Sequence, residues 1–397
     1  MMIRTLFGSL AILAASGAAW PQQPPAPEWP ACGTVETLPR EHWPAPDPRG
    51  WDTGRLERAR GYFETLDSAA FMVVHRGEPV IAWGDIDVRY TVQSMRKPLV
   101  GAIIGQLVAE GALDLDATLA GMGIDDSDPA LTEEERQATL RDLLLSRSGI
   151  MHDANYEVGG WRDLRIGVRE RQPAGSFRGN WVYNNWDFNA LGTIAEQGGR
   201  DTLGALFRDR VAGPLGMEDF RVFDVTYSER GSRAQQFFGY GSDHPAYMFE
   251  MSTRDLARFA TLYLNCGRWD GREVVPEAWV RESIAGVDTY IGLSQNAYTG
   301  FDRYGYLWWV EDGGERPRFP QLEAAQPFYG ASGNRGHFML VFPHLDLVIV
   351  HQPPTLGGIG FEAQADRFRN GTPGVEDEDF ERLVGMVLMA HPEAGGR

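Results

Sequence analysis

The stretch QSMRKPLVGAIIG, residues 93–105, decides the reading of this chain. It holds Lys97, the single lysine of 397 residues, in a chain whose 37 basic residues are otherwise all arginine. Arginine keeps its charge under any condition a protein meets, whereas an amine can be made to release its proton and act as a base. Ser94 stands three positions before Lys97, and residues three apart on a helix share a face, so Oγ and Nζ can touch. That pairs a serine nucleophile with an amine able to take its proton. Pro98 falls in the first turn, where a missing N–H does little harm. Leu99, Val100, Ile103, Ile104, Leu107 and Val108 recur at helical spacing and surround most of the cylinder. The sequence therefore predicts a buried central helix over about residues 94–110.

Working outward, residues 53–66 have helical periodicity, and FMVVHRGEPVIAWG (71–84) reads as two strands joined at Arg76-Gly77-Glu78. From about 116 to 290 the pattern is helices and long loops, with convincing strands scarce. After residue 300 the aromatic and β-branched runs YGYLWWVE, YGASGNRGHFMLVFP and LDLVIVHQ return, followed by a helix at about 376–391. A β-rich N-terminal piece and a β-rich C-terminal piece thus flank a helical insert. The expected fold is an α/β lobe plus an all-α lobe: residues 53–115 and 300–397 share one antiparallel sheet flanked by helices, and residues 116–299 form the helical lobe. The cleft between lobes is the expected site.

A net charge of −18 argues against nucleic acid and anionic membrane surfaces as partners. At the N-terminus, Arg4, the apolar run Leu6 to Ala15 and the small residues Gly17-Ala18-Ala19 before Trp20 fall in the order of a secretory signal. Residues 1–19 are read as that signal, and 20–52, rich in Pro and Trp, as an extended lead-in. The run is too short to span a bilayer, and no later stretch is long enough. An exported, periplasmic or extracellular protein is expected. In such a compartment Cys32 and Cys266 are candidates for one disulfide, which sequence alone leaves open. The eight histidines are scattered without H-E-x-x-H or C-x-x-C spacing, so no metal and no cofactor is implied.

Two further segments join Ser94-Met95-Arg96-Lys97. One is Tyr183-Asn184-Asn185, in a loop before a helix. The other is Tyr329 to Phe338, where GASGNRG opens a strand. This order resembles the serine β-lactamase and penicillin-binding-protein superfamily, with its S-x-x-K, Y-x-N and K-T-G or H-x-G motifs. It is most similar to the class C-like β-lactamase-related branch that includes esterases and amidases of the 6-aminohexanoate-dimer-hydrolase kind. The stretches GALDLDATL, LLLSRSGI, GPLGM, NCGRWDGREVVP and YGYLWWV extend the likeness over roughly residues 53 to 390. Without a second lysine a literal K-T-G is excluded, and the third motif is expected at Ala331-Ser332-Gly333, with Asn334 next. G-x-S-x-G is absent, which argues against an α/β-hydrolase.

The resemblance implies an acyl-enzyme on Ser94. Lys97 and Tyr183 are expected to share the proton, each drawing the other's pKa toward neutrality. Asn185 is expected to accept from Lys97 and to donate to the substrate carbonyl. The backbone N–H groups of Ser94 and Asn334 are the expected oxyanion hole, flanked by Ser332 and Gly333. Trp181, Trp186, Phe328 and Tyr329 suit either the cleft wall or the core. With no third-motif lysine to grip a carboxylate, only Arg335 or His337 could substitute. A small ester or amide therefore ranks above a β-lactam or a D-Ala-D-Ala peptide as substrate. The rival of another class is a non-catalytic member that binds peptidoglycan fragments or a protein.

Overall fold

The computed structural model describes residues 27–32, 43–127, 129–157, 178–229, 241–289, 301–312, 318–322, 326–355 and 374–393. The signal-like segment lies outside the described residues.

Helix α1 (Thr53–Phe63) is started by the Asp52 carboxylate, which accepts from the Arg55 N–H; this is an N-cap in the usual sense. Strands β1 (Ala70–His75) and β2 (Glu78–Gly84) form the hairpin the sequence predicts. Arg76 and Gly77 both turn through positive φ, as a two-residue hairpin requires. After β3 (Arg89–Thr91) comes the central helix α2 (Arg96–Ala109), in which twelve of fourteen residues are buried. A helix so placed shows no polar face in its sequence, which is why its apolar residues surround the cylinder.

The C-terminal strands return to the N-terminal ones. The large sheet has the order β2-β1-β13-β12-β11-β10-β9-β8, with β8 Val287–Asp288, β9 Arg303–Tyr304, β10 Trp309–Glu311, β11 Phe328–Gly333, β12 His337–Phe342 and β13 Leu347–Gln352. Its pairs are antiparallel, and β13 lies beside β1 with Ala70 opposite Gln352. Its two faces are covered separately. Phe71 and His351 meet Phe63 of α1 and Phe380 of the C-terminal helix (Asp377–Leu388) on one side, where Phe338 stacks on Phe380 at 3.9 Å. Helix Thr253–Leu264 packs on β1, β12 and β13 from the other.

This helix and β8 lie within the span expected to be the helical lobe, so the sheet lobe takes in more of the middle of the chain than expected. A strand was missed there as well. β5 (Ala246–Ser252) joins β3 and β4 (Val225–Ser228) in a three-stranded sheet. All seven β5 residues are buried, so it lacks the alternation that marks a half-buried strand. The short hairpin β6 (Arg268–Trp269) and β7 (Arg272–Glu273) completes the described strands. Cys32 and Cys266 form a disulfide with Cα atoms 5.4 Å apart, tying the lead-in to the body. Among the described residues no helix is long and apolar enough to cross a membrane.

Candidate active site

Ser94 sits in a single helical turn, Gln93–Met95, between β3 and α2. Backbone bonds hold the approach to it: the Thr91 N–H donates to Thr355 O and the Val92 N–H to Phe249 O. Gln93 adopts φ +50°, a conformation costly for a side chain and common where a functional residue must be presented. One turn on, Lys97 reaches back, its Nζ 2.7 Å from Ser94 Oγ.

Tyr183 arrives from the loop before helix α3 (Asn185–Gly199), whose start is fixed by three polar side chains. Asn184 Oδ1 accepts from the Trp186 N–H, and Asn184 Nδ2 donates to Ile150 O and to Asp187 Oδ1. Ser148 Oγ donates to the same Asp187 oxygen at 2.7 Å, which ties this loop to the stretch LLLSRSGI. The Tyr183 ring stacks on Trp309 at 5.7 Å and meets Phe188 at 4.8 Å. Its hydroxyl is thereby placed 2.5 Å from Lys97 Nζ and 3.2 Å from Ser94 Oγ. Three groups from two separate segments make one mutual contact.

The amine and the phenol in that contact are buried. Lys97 is 2 % exposed, with the rings of Phe188 and Tyr183 4.5 and 4.8 Å from Nζ. Burial, and then the positive charge of Arg96, push the Lys97 amine well below its ordinary range. The phenol moves the other way. Burial raises the Tyr183 pKa, although its bond to Ser94 and the charge of Arg96 oppose the rise. The expectation is that each draws the other toward neutrality; the Lys97 shift instead comes from burial and Arg96, and the Tyr183 shift from burial, so neither is set by the other partner. An amine whose charged form is disfavoured by burial gives less support to a phenolate.

The third segment spans the end of β11 and the turn after it. β11 ends beside the nucleophile turn, and a Cβ on Gly333 would come within 2.8 Å of Val92 O and 3.0 Å of Gln93 Cβ. Glycine there lets the two backbones close up. Ser332 precedes it on the strand, and Asn334 is exposed at the start of the turn Asn334-Arg335-Gly336. Asn185, the first residue of α3, is buried, but its side chain makes no hydrogen bond to Lys97 among the described residues. The expected acceptance from Lys97 is thus not made; the hydrogen bonds of the amine go to Ser94 and Tyr183.

His337 is buried on β12, its Nε2 3.1 Å from Thr355 Oγ1, and burial lowers its pKa to about 3. It is a neutral structural imidazole. Arg335 is exposed in the hairpin turn at φ +69°. Trp181, Trp186, Phe328 and Tyr329 are all buried and belong to the core. Sequence reasoning missed Arg96, 2 % exposed beside Lys97, although a guanidinium opening an otherwise apolar helix was a visible signal.

The β-lactamase family profile matches residues 56–367. The chain belongs to the β-lactamase family. Its members are serine hydrolases of the superfamily that works through an acyl-enzyme. Solved structures agree on the fold. A Bacillus anthracis protein assigned as a 6-aminohexanoate-dimer hydrolase superposes with TM-score 0.58 at 19 % identity, over 85 % of this chain and 83 % of that one. A protein from Bacteroides dorei assigned as a β-lactamase gives 0.57 at 16 %, over 85 % and 99 %. A penicillin-binding-protein homologue from Caulobacter crescentus gives 0.54 at 16 %, over 87 % and 99 %. No curated protein shows significant sequence similarity to the chain.

Proposed function

We propose that this protein is an exported serine hydrolase that forms an acyl-enzyme on Ser94 and cleaves a small, uncharged ester or amide. The observation that carries the reading is the closed contact of Ser94 Oγ, Lys97 Nζ and Tyr183 OH, with the amine and the phenol buried. The neutral Lys97 amine takes the Ser94 proton as Oγ attacks the carbonyl carbon. The Tyr183 phenol, held protonated, passes a proton to the departing oxygen or nitrogen and recovers one from Lys97. Water then attacks the acyl-enzyme with the same groups acting in reverse. The N–H groups of Ser94 and Asn334 are the proposed oxyanion donors, beside Ser332 and Gly333, with Asn185 donating to the substrate carbonyl.

Substrate class rests on what the third segment lacks. It has no lysine, and its histidine is neutral and turned to Thr355. A substrate carboxylate therefore meets no fixed cation from β12. The similar fold assigned to a 6-aminohexanoate-dimer hydrolase is consistent with an amide as one member of the class. The reading predicts a kcat/KM for p-nitrophenyl butyrate well above that for nitrocefin on one preparation. The opposite order would reassign the protein as a β-lactamase and make Arg335 the first residue to test as anchor. Loss of neither activity in Ser94→Ala would instead remove the nucleophile. Export is supported by the Cys32–Cys266 disulfide, since such bonds persist in oxidising compartments. The N-terminus of protein recovered outside the cytoplasm should be Trp20, and a retained Met1 would contradict it.

A further inference from the structure

Arg96 is a buried guanidinium that the acyl-transfer scheme does not use. It is 2 % exposed and opens α2 between the nucleophile and the lysine. Its Nη1 donates to Gln93 O at 3.1 Å, Cζ lies 5.3 Å from the centre of the Tyr247 ring, and Nε has no partner. The groups that share its field are Lys97 on its own helix, Tyr183 from the loop before α3, Tyr156, Tyr247 of β5 and Tyr304 of β9. Apart from the Lys97 amine these are four phenols, and no carboxylate forms an ion pair with Arg96 among the described residues. Burying a cation without a counter-ion is costly, so a chain that needed only packing here would be better served by an apolar side chain.

What the cation touches explains its presence. Gln93 is the residue at φ +50° whose turn presents Ser94, and its side-chain Oε1 accepts from Tyr156 OH at 3.4 Å. Gly333 presses on the same residue from β11. Gln93 is thus held at its carbonyl by Arg96, at its amide by Tyr156 and from the strand side by Gly333. We propose that Arg96 is a positioning residue of the nucleophile turn, clamping the Gln93 carbonyl that orients Ser94 and setting the electrostatic field at the Lys97 amine. This rests on the serine-hydrolase reading above.

The field has a definite sign. A neighbouring positive charge disfavours the ammonium form of Lys97, so it extends the neutral amine to lower pH. A base must be neutral to take the serine proton, so kcat/KM rises with pH through the titration of Lys97. Without Arg96 that acid limb moves to higher pH.

The test is the pH profile of kcat/KM for p-nitrophenyl butyrate in wild type, Arg96→Met and Arg96→Gln, with thermal melting of each. Both variants should move the acid limb up by roughly one pH unit, a tenfold loss at a pH on that limb. Both should also lose kcat at the plateau as the turn loosens. Melting temperature should stay level or rise in Arg96→Met, because an unpaired buried charge has gone. Should Arg96→Met fail to fold, Arg96→Gln, which keeps a polar head, decides the question. An acid limb that stays where it is in the folded variants overturns the proposal, whatever happens to kcat, because a merely structural residue behaves that way. That result would leave the nucleophile reading intact if activity still depended on Ser94, and Ser94→Ala with wild-type turnover would remove that reading separately.

Discussion

At the scale of the residue, Lys97 and Tyr183 carry opposite shifts, and this divides their labour. Burial disfavours the charged form of each: the amine shifts toward the neutral form that suits a base, and the phenol toward the protonated form that suits a donor. Lys97→Arg keeps a positive charge but cannot deprotonate, so it should lose as much activity as Lys97→Ala. A nearly active Lys97→Arg in steady-state assays would make the charge, and not the amine, the requirement. Tyr183→Phe gives a finer test. A p-nitrophenolate leaves without being protonated, whereas an amine leaving group needs a proton. The variant should lose roughly 10²–10⁴-fold on an anilide or alkyl amide and much less on p-nitrophenyl butyrate. Equal losses on both would contradict the donor role. Ser94 and Lys97 were legible in the sequence because one amine in an arginine-only chain is conspicuous. The direction of the Tyr183 shift was not, since it depends on burial by Trp309 and Phe188, which come from distant and neighbouring segments respectively.

At the scale of the element, the site depends on β11 lying against the nucleophile turn. Gly333→Val would drive a branched side chain into Val92 O and Gln93 Cβ. Activity should fall by roughly tenfold or more while the circular dichroism of the fold is kept, because the strand can yield outward at a cost to geometry. Full activity would show that β11 does not need to approach. The neighbouring strands make a separate prediction about pH. His337 on β12 and His351 on β13 are fully buried, with pKa values lowered by burial to about 3 and about 4. His351 is bonded on both nitrogens, to Ser68 Oγ at 2.7 Å and to Gly336 O at 2.6 Å. Both pKa values are depressed, so the unfolded chain binds more protons than the folded one on the acid side of the ordinary histidine range. The associated stability is complete above about pH 6.5 and is lost as pH falls toward 4 and then 3. Thermal midpoints should decline over that window, less steeply in His337→Gln/His351→Gln; an unchanged slope would clear the histidines. Strand signals in the C-terminal piece were readable because each run ends in a marked turn. β5 was not, because burial on both sides erased its alternation.

At the scale of the whole molecule, the chain closes on itself twice: β1 pairs with β13, and Cys32 bonds to Cys266 across 234 residues. The first closure was legible, since two β-rich ends flanking helices have few other ways to bury their faces. The second was not, because only the fold brings the two Cα atoms together. Cys266→Ser should lower the melting temperature by several degrees, reflecting about 2–4 kcal/mol for a long-loop disulfide, with kcat/KM little changed. A midpoint equal to wild type would mean the cross-link adds nothing to the stability of the body. The boundary between lobes was misread for a related reason: helix Thr253–Leu264 looks like its helical neighbours in sequence, and only its packing assigns it to the sheet. The central claim remains that Ser94 becomes acylated, and intact-mass spectrometry of the whole chain tests it most directly. After a fluorophosphonate is added, the mass should rise by one adduct, peptide mapping should place it on the peptide carrying Ser94, and Ser94→Ala should take up none. An adduct on another serine, or equal labelling of Ser94→Ala, would contradict the account.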